Sequence, residues 1–179
     1  MSPEPFLGTT SHSPVRHHIL SVLVENKAGV LARIAGLFAR RGFNIYSLAV
    51  APSEGHARFS RVTIVVDAES APLEQIVGQL DKLVNVVAIT DLAPSDAVER
   101  ELLLATIVTD TANRTPLLDL LANAGAAIVD VDPGAVTVML AGTPRACDEL
   151  ERSLETFSGV EIHRTGRVAL PRLGEPAPK

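Results

Sequence analysis

Tryptophan is absent from this sequence, tyrosine occurs once, and aromatic residues amount to only 3%. Nucleic acid is gripped by rings that stack on bases and by a basic groove. Here the rings are scarce and the formal charge is -5, which argues against a nucleic-acid partner. Cysteine is as rare: Cys147 stands alone, which rules out an internal disulfide and any cysteine-based metal cluster. No apolar run is long enough to span a bilayer. The opening MSPEPFLGTTSHSPV has neither a basic start nor an apolar stretch, so residues 1–16 read as a disordered tail rather than a signal peptide. The chain is expected to be cytoplasmic and free of membranes. Its 179 residues, 46% hydrophobic and 21% charged, suffice for one domain or two small ones with real cores.

The apolar spacing then gives an order of elements. HILSVLVE (His18–Glu25) reads as a buried strand. Val30, Leu31, Ile34, Leu37 and Phe38 recur at helical spacing, with Arg33, Arg40 and Arg41 on the other face and Gly42 as a stop. NIYSLAVA and SRVTIVVDA read as strands joined by the polar turn PSEGHARF. Leu73, Ile76, Val77, Leu80, Leu83 and Val84 make a second helical stripe with Pro72 in its first turn, and VVAITDL closes as a strand. The order βαββαβ is that of a ferredoxin-like unit.

The same order repeats. ELLLATIV is a strand, and Pro116 is expected to open a helix carrying Leu117, Leu120, Leu121 and Ala124. AAIVDVD and GAVTVMLAG form a hairpin around Pro133-Gly134, Cys147, Leu150, Leu154 and Phe157 make the last stripe, and VEIHRTGRVAL finishes the sheet. The fold class is therefore α+β, two tandem ferredoxin-like domains over residues 17–93 and 98–170. They are divided in DLAPSDAVE near Pro94, and residues 171–179 are a second disordered tail.

Chemistry is hard to find. None of the five histidines (His12, His17, His18, His56, His163) stands at metal-ligand spacing. Neighbours on a strand point to opposite faces, which separates His17 from His18. Cys147 lies on an apolar stripe with no base beside it. Asp130 and Asp132 share one face of a strand beside Pro133, where turn chemistry explains them as well as acid–base catalysis does. No catalytic residues and no metal site are expected. RNA-recognition domains share this element order but carry aromatics on the central strands; SRVTIVVDA has none, Phe59 only precedes it, and Tyr46 is alone on its neighbour.

The stretches SVLVENKAGVLARIAGLFARRGFNIYSLAVAP, SRVTIVV and PLEQIVGQLDKLVNVVAITDL closely resemble the regulatory small subunits of acetolactate synthase. The most specific pieces are the EN-x-x-G-V-L turn, RRGFNI and the LEQI-x-x-QLDKLV-x-V helix. In the second half Arg100–Glu101, Ile128–Val131 and TGRVAL at Thr165–Leu170 also fit. The resemblance implies that the first domain is an ACT domain, an amino-acid sensor. It further implies a homodimer through these domains and a non-catalytic partner of the catalytic large subunit. That subunit converts two pyruvates to 2-acetolactate in valine, leucine and isoleucine synthesis. Thiamine diphosphate, magnesium and FAD would belong to it, and no cofactor to this chain. The implied effector is a branched-chain amino acid, valine foremost, and the implied contacts are Asn26, Ala28, Gly29, Val30, Leu31, Asn44 and Ile45.

Free N–H groups around Ala28, Gly29 and Val30 would receive the effector's carboxylate, helped by the helix dipole. Gly29 lets a ligand approach the backbone, and Asn26 can fix the turn and offer its amide. On spacing alone, Asn26 as a cap and Gly29 as a turn residue is the simpler reading; the resemblance favours ligand contact. About thirteen helical residues, roughly 20 Å, separate Asn26 from Asn44, so a molecule as small as valine touches both only if they come from two chains. Two residues depart from the family pattern: Tyr46 stands where an acidic residue is frequent, and Thr106 where a lysine is common. The alternative is a free-standing tandem ACT regulator of another enzyme or of a transcriptional partner.

Overall fold

Strand β1 (His17–Glu25) is apolar on both faces because it lies in the middle of a sheet covered on both sides. Of this chain the computed structural model describes residues 17–53, 58–67, 73–93 and 95–173. The N-terminal tail, residues 54–57 of the PSEGHARF turn, residues 68–72, Pro94 and residues 174–179 lie outside them. Helix α1 (Val30–Arg41) follows, then β2 (Ile45–Pro52), β3 (Phe59–Asp67), α2 (Leu73–Leu80) and β4 (Val86–Leu92), with strand order β2-β3-β1-β4. Val30, Ile34, Leu37 and Phe38 of α1 and Ile76 and Leu80 of α2 pack on Leu20, Val22, Val24, Val62, Ile64 and Val66. Each such side chain contributes roughly 1.5–3 kcal/mol by leaving water. Gly42 ends α1 in the left-handed region at φ 69°, and the Phe43 N–H returns to Phe38 O at 3.0 Å, closing the helix end.

The second unit repeats the topology: β5 (Ala97–Val108), α3 (Thr111–Ala124), β6 (Ala127–Asp132), β7 (Ala135–Gly142), α4 (Pro144–Leu154) and β8 (Val160–Arg164), in the order β6-β7-β5-β8. Its own core joins Leu103, Ala105 and Ile107 to Leu117, Leu121, Val138, Leu140, Cys147, Leu150 and Leu154. Arg164 ties three of its elements together. Its guanidinium takes both Glu101 oxygens at 2.8 and 2.9 Å, Asp148 at 2.7 Å and Glu151 at 2.9 Å. Those carboxylates, Glu101 foremost, push the Arg164 guanidinium's pKa further up.

Several elements differ from the sequence expectation. Pro116 does not open α3; it sits inside, because Asp110 caps the helix by accepting the Asn113 N–H at 2.9 Å and so starts it earlier. Val84 is not core, being 86% exposed, since α2 stops at Leu80 and the chain turns before β4. Leu31 points away from the core at 43% exposure. VEIHRTGRVAL is two strands rather than one: it breaks at Thr165–Arg167, and β9 (Val168–Pro171) runs on to Pro171. β9 leaves the second sheet and pairs with the first four residues of β5, Ala97 facing Pro171 and Arg100 facing Val168. Arg172 extends the pairing by donating its N–H to Asp96 O at 2.8 Å.

This two-stranded ribbon lies on the helix-free face of the first sheet. Ala97 and Ala169 bury against Ile19, Val65 and Leu92, and the alanines let the backbones approach. The helix-side core of the first unit is nonetheless complete within residues 20–89. A fragment Met1–Pro94 is expected to fold with its own cooperative melt by circular dichroism, at a lower Tm than the full chain because Ile19, Val65 and Leu92 are uncovered. A second expectation concerns Cys147, which is fully buried with Sγ 3.8 Å from Glu101 O. Burial pushes its thiol pKa up, and the Glu101 charge adds to this, so thiolate is scarcer at pH 8 than in the unfolded chain. Ellman's reagent should leave the native protein unmodified and titrate it fully in urea; prompt native reaction would contradict this packing.

Candidate functional site

The chain leaves β1 through a turn held by both main chain and side chains. Asn26 N–H donates to Arg58 O at 2.7 Å, Lys27 N–H to Glu25 O at 2.9 Å and Val30 N–H to Lys27 O at 3.3 Å. The Glu25 carboxylate accepts from Lys27 Nζ at 2.9 Å and Asn85 Nδ2 at 2.6 Å, and Asn85 Oδ1 accepts from Arg33 at 2.8 Å. The Lys27 hydrogen bond, then that of Asn85, holds the Glu25 carboxyl below its ordinary range. Sequence reading missed Glu25, Arg33 and Asn85 as supports of this turn. The visible signal was a lone asparagine between the apolar pairs Leu83-Val84 and Val86-Val87.

Gly29 is the N-cap of α1 at φ 84°, ψ -6°, and no side chain caps the helix there. By contrast Asp110 caps α3 and Thr143 caps α4. The first N–H groups of a helix have no partner within it, so α1 begins with donors that its own side chains do not satisfy. A Cβ built on Gly29 would meet nothing within 4 Å, so the turn is an open platform and not an enclosed cavity. Asn26, Ala28, Gly29 and Leu31 are exposed around it, whereas the Val30 side chain is buried and can offer only main chain.

Asn44 is exposed and Ile45 half-buried at the far end of the same helix. α1 has 12 residues, or about 18 Å of axis at 1.5 Å per residue. The pairing agrees: Glu25 faces Phe59 at one end of β3, and Ile45 faces Val66 at the other. The structure thus brings Asn26, Ala28, Gly29, Val30 and Leu31 together, and Asn44 with Ile45, but holds the two sets apart within one chain.

The concave spaces lie elsewhere. Two adjoining grooves of about 370 and 510 Å³ run between the β5–β9 ribbon and the helix-free face, sharing Ala51, Arg61, Ala169 and Leu170. Among the described residues no group of three or more His, Cys, Asp or Glu side chains could hold a metal ion. No helix among them is long and apolar enough to cross a membrane. Asp132 Oδ1 accepts the Gly134 N–H at 2.9 Å and Asp130 Oδ1 the Val131 N–H at 2.9 Å, so both serve the hairpin.

Residues 20–88 match the family described as the AHAS small subunit-like ACT domain, and residues 100–173 match the small subunit of acetolactate synthase. The chain is 47% identical over 155 residues to the acetolactate synthase small subunit of Mycobacterium bovis, covering 87% of this chain and 92% of that protein. It is 43% identical over 174 residues to the chloroplastic acetolactate synthase small subunit 2 of Arabidopsis thaliana, covering 96% of this chain and 36% of that protein. The crystal structure of the small subunit from Thermotoga maritima superposes with a TM-score of 0.82 at 36% identity, over 90% of this chain and 100% of that one. The matches span both halves of the chain. The chain belongs to the acetolactate synthase small-subunit family, as a regulatory and non-catalytic subunit whose partner is a catalytic large subunit.

Proposed function

We propose that this subunit activates its large subunit and makes it sensitive to a branched-chain amino acid, valine foremost, in branched-chain amino-acid synthesis in the cytoplasm. The observation that carries the reading is the start of α1, where Gly29 turns the chain with no side-chain cap and Leu31 stands exposed beside it. The effector's carboxylate takes the N–H groups at Ala28 and Gly29, where the helix dipole favours an anion, and that of Val30 only by drawing it from its 3.3 Å bond to Lys27 O. Its branched side chain lies against Leu31. Asn44 and Ile45 of a second copy close the open platform, since those of the same chain are a helix length away. The site is therefore shared by two protomers joined through their ACT domains. Thiamine diphosphate, magnesium and FAD belong to the catalytic subunit, and this chain adds none.

The purified chain alone is expected to form no acetolactate from pyruvate with all cofactors supplied, and to raise turnover several-fold when added to its large subunit. Synthesis by the small subunit itself would overturn the reading. In sedimentation at micromolar concentration the valine-binding species should be at least a dimer; a strict monomer binding valine stoichiometrically would exclude the shared site. Gly29→Asp places a carboxylate where the effector's own must sit. Effector affinity should fall at least about tenfold, equivalent to about 1.4 kcal/mol. Asp would be well tolerated at a helix start if φ were negative, but Gly29 sits at φ 84°. The substitution therefore also costs roughly 1–2 kcal/mol of backbone strain, and Tm should drop by several degrees. Acetolactate formation by the reconstituted pair, measured against rising valine, should show activation retained and inhibition lost. Wild-type inhibition in that variant would remove Gly29 from the site.

A further inference from the structure

We infer that the loop Thr165–Arg167 between β8 and β9 couples the effector site to the second half of the chain, with Arg167 on Tyr46 as the transmitting contact. The inference rests on the effector reading above and concerns how that site is heard.

Tyr46 is the residue directly after Asn44 and Ile45, and it is the extra residue of a β-bulge. Ile45 pairs with Val66 and Ser47 with Val65, so Tyr46 has no partner in β3. A bulge re-aims its side chain, and this one places the Tyr46 ring 4.0 Å from the His17 ring and 5.1 Å from the Arg167 guanidinium. The loop sits directly on the strand. Arg167 N–H donates to Ser47 Oγ at 2.9 Å, and a Cβ on Gly166 would lie 2.7 Å from that oxygen and 3.2 Å from Leu48 O. Only glycine allows this approach, at φ 83°.

The two arginines flanking the loop are held in opposite ways. Arg164 is locked into the second core by four hydrogen bonds to carboxylates between 2.7 and 2.9 Å. Arg167 is 8% exposed, yet its ion pair with Glu99 is long at 3.4 Å. Its Nε finds no hydrogen-bond partner among the described residues. A buried cation held by a ring face and one long contact sits in a shallow well. A change at Asn44–Ile45 that shifts the bulge therefore moves Arg167 first. The three-residue loop, which Thr165 pins to Leu102 O through its N–H at 3.1 Å, passes the shift to a core that moves as a unit.

Linkage supplies the test, because the large subunit must change valine affinity by the same factor by which valine changes large-subunit affinity. Valine binding is measured by calorimetry on the full-length chain with and without its large subunit, and the ratio of the two Kd values is the coupling factor. Factors of roughly 5–150 are usual. In Arg167→Ala, and independently in Ser47→Ala, the factor should fall to within about twofold of unity. The free chain should keep a valine Kd within about threefold of wild type, with its thermal melt retained. Tyr46→Phe keeps the ring and should keep wild-type coupling. Wild-type coupling in both Arg167→Ala and Ser47→Ala overturns the inference and leaves the effector site standing. No valine binding by the wild-type chain overturns the effector reading itself.

Discussion

Strand β5 belongs to two structures at once, and the rest of the molecule is arranged around that. Its first four residues lie in the ribbon that covers Ile19, Val65 and Leu92 of the first sheet. Its remainder is the middle strand of the second sheet, paired with β7 and β8. An extended strand has no hinge of its own, so the ribbon and the second core shift together. The βαββαβ units are therefore not beads on a linker. Ser95 and Asp96, in the connecting segment, are held by Arg172, which donates to both of their carbonyls. The helix-side cores stay independent, while the helix-free face of the first sheet is finished by the second half.

The second constraint is the length of α1. A ferredoxin-like unit must send its first helix the full length of the sheet so that β2 can start parallel to β1, one strand away across β3. The turn entering that helix and the turn leaving it are then unavoidably a helix apart. An open, uncapped start of α1 and the exposed Asn44 can meet only across two molecules. Subunit association and ligand binding become one equilibrium in such a site, and occupancy at one end of the sheet is also a statement about packing at the other.

Much of this was legible in the sequence where local rules and global fold agree. Val30, Ile34, Leu37 and Phe38 of α1, Cys147, Leu150 and Leu154 of α4, the Pro133-Gly134 hairpin and the Gly42 stop follow from periodicity and turn chemistry and stand in the structure, while Phe157 falls beyond the end of α4. Pro116 misled because proline favours first turns, whereas the Asp110 side chain set the start of α3 earlier. Leu31 misled because a helical stripe has an edge, and only tertiary packing decides which edge residue reaches the core. The break at Thr165–Arg167 was invisible, since VEIHRTGRVAL alternates well enough for one strand. What splits it is Gly166 at positive φ and the seat it takes on β2, a contact between residues about 120 positions apart.

The candidate site was legible in a different way. Its residues were carried by resemblance, and geometry then sorted them: the Val30 side chain is buried, and Leu31 stands exposed rather than in the core. What neither spacing nor resemblance offered was the support around the site. Glu25, Lys27, Arg33 and Asn85 hold the turn through hydrogen bonds reaching 60 residues along the chain. Tyr46 proves to be the bulged residue under Arg167. A ring there accepts the cation by its face, a softer hold than the carboxylate pairs that fix Arg164. One loop thus has a stiff end in the second core and a softer end on the first sheet, which is the asymmetry the inferred coupling requires in order to yield at one end only.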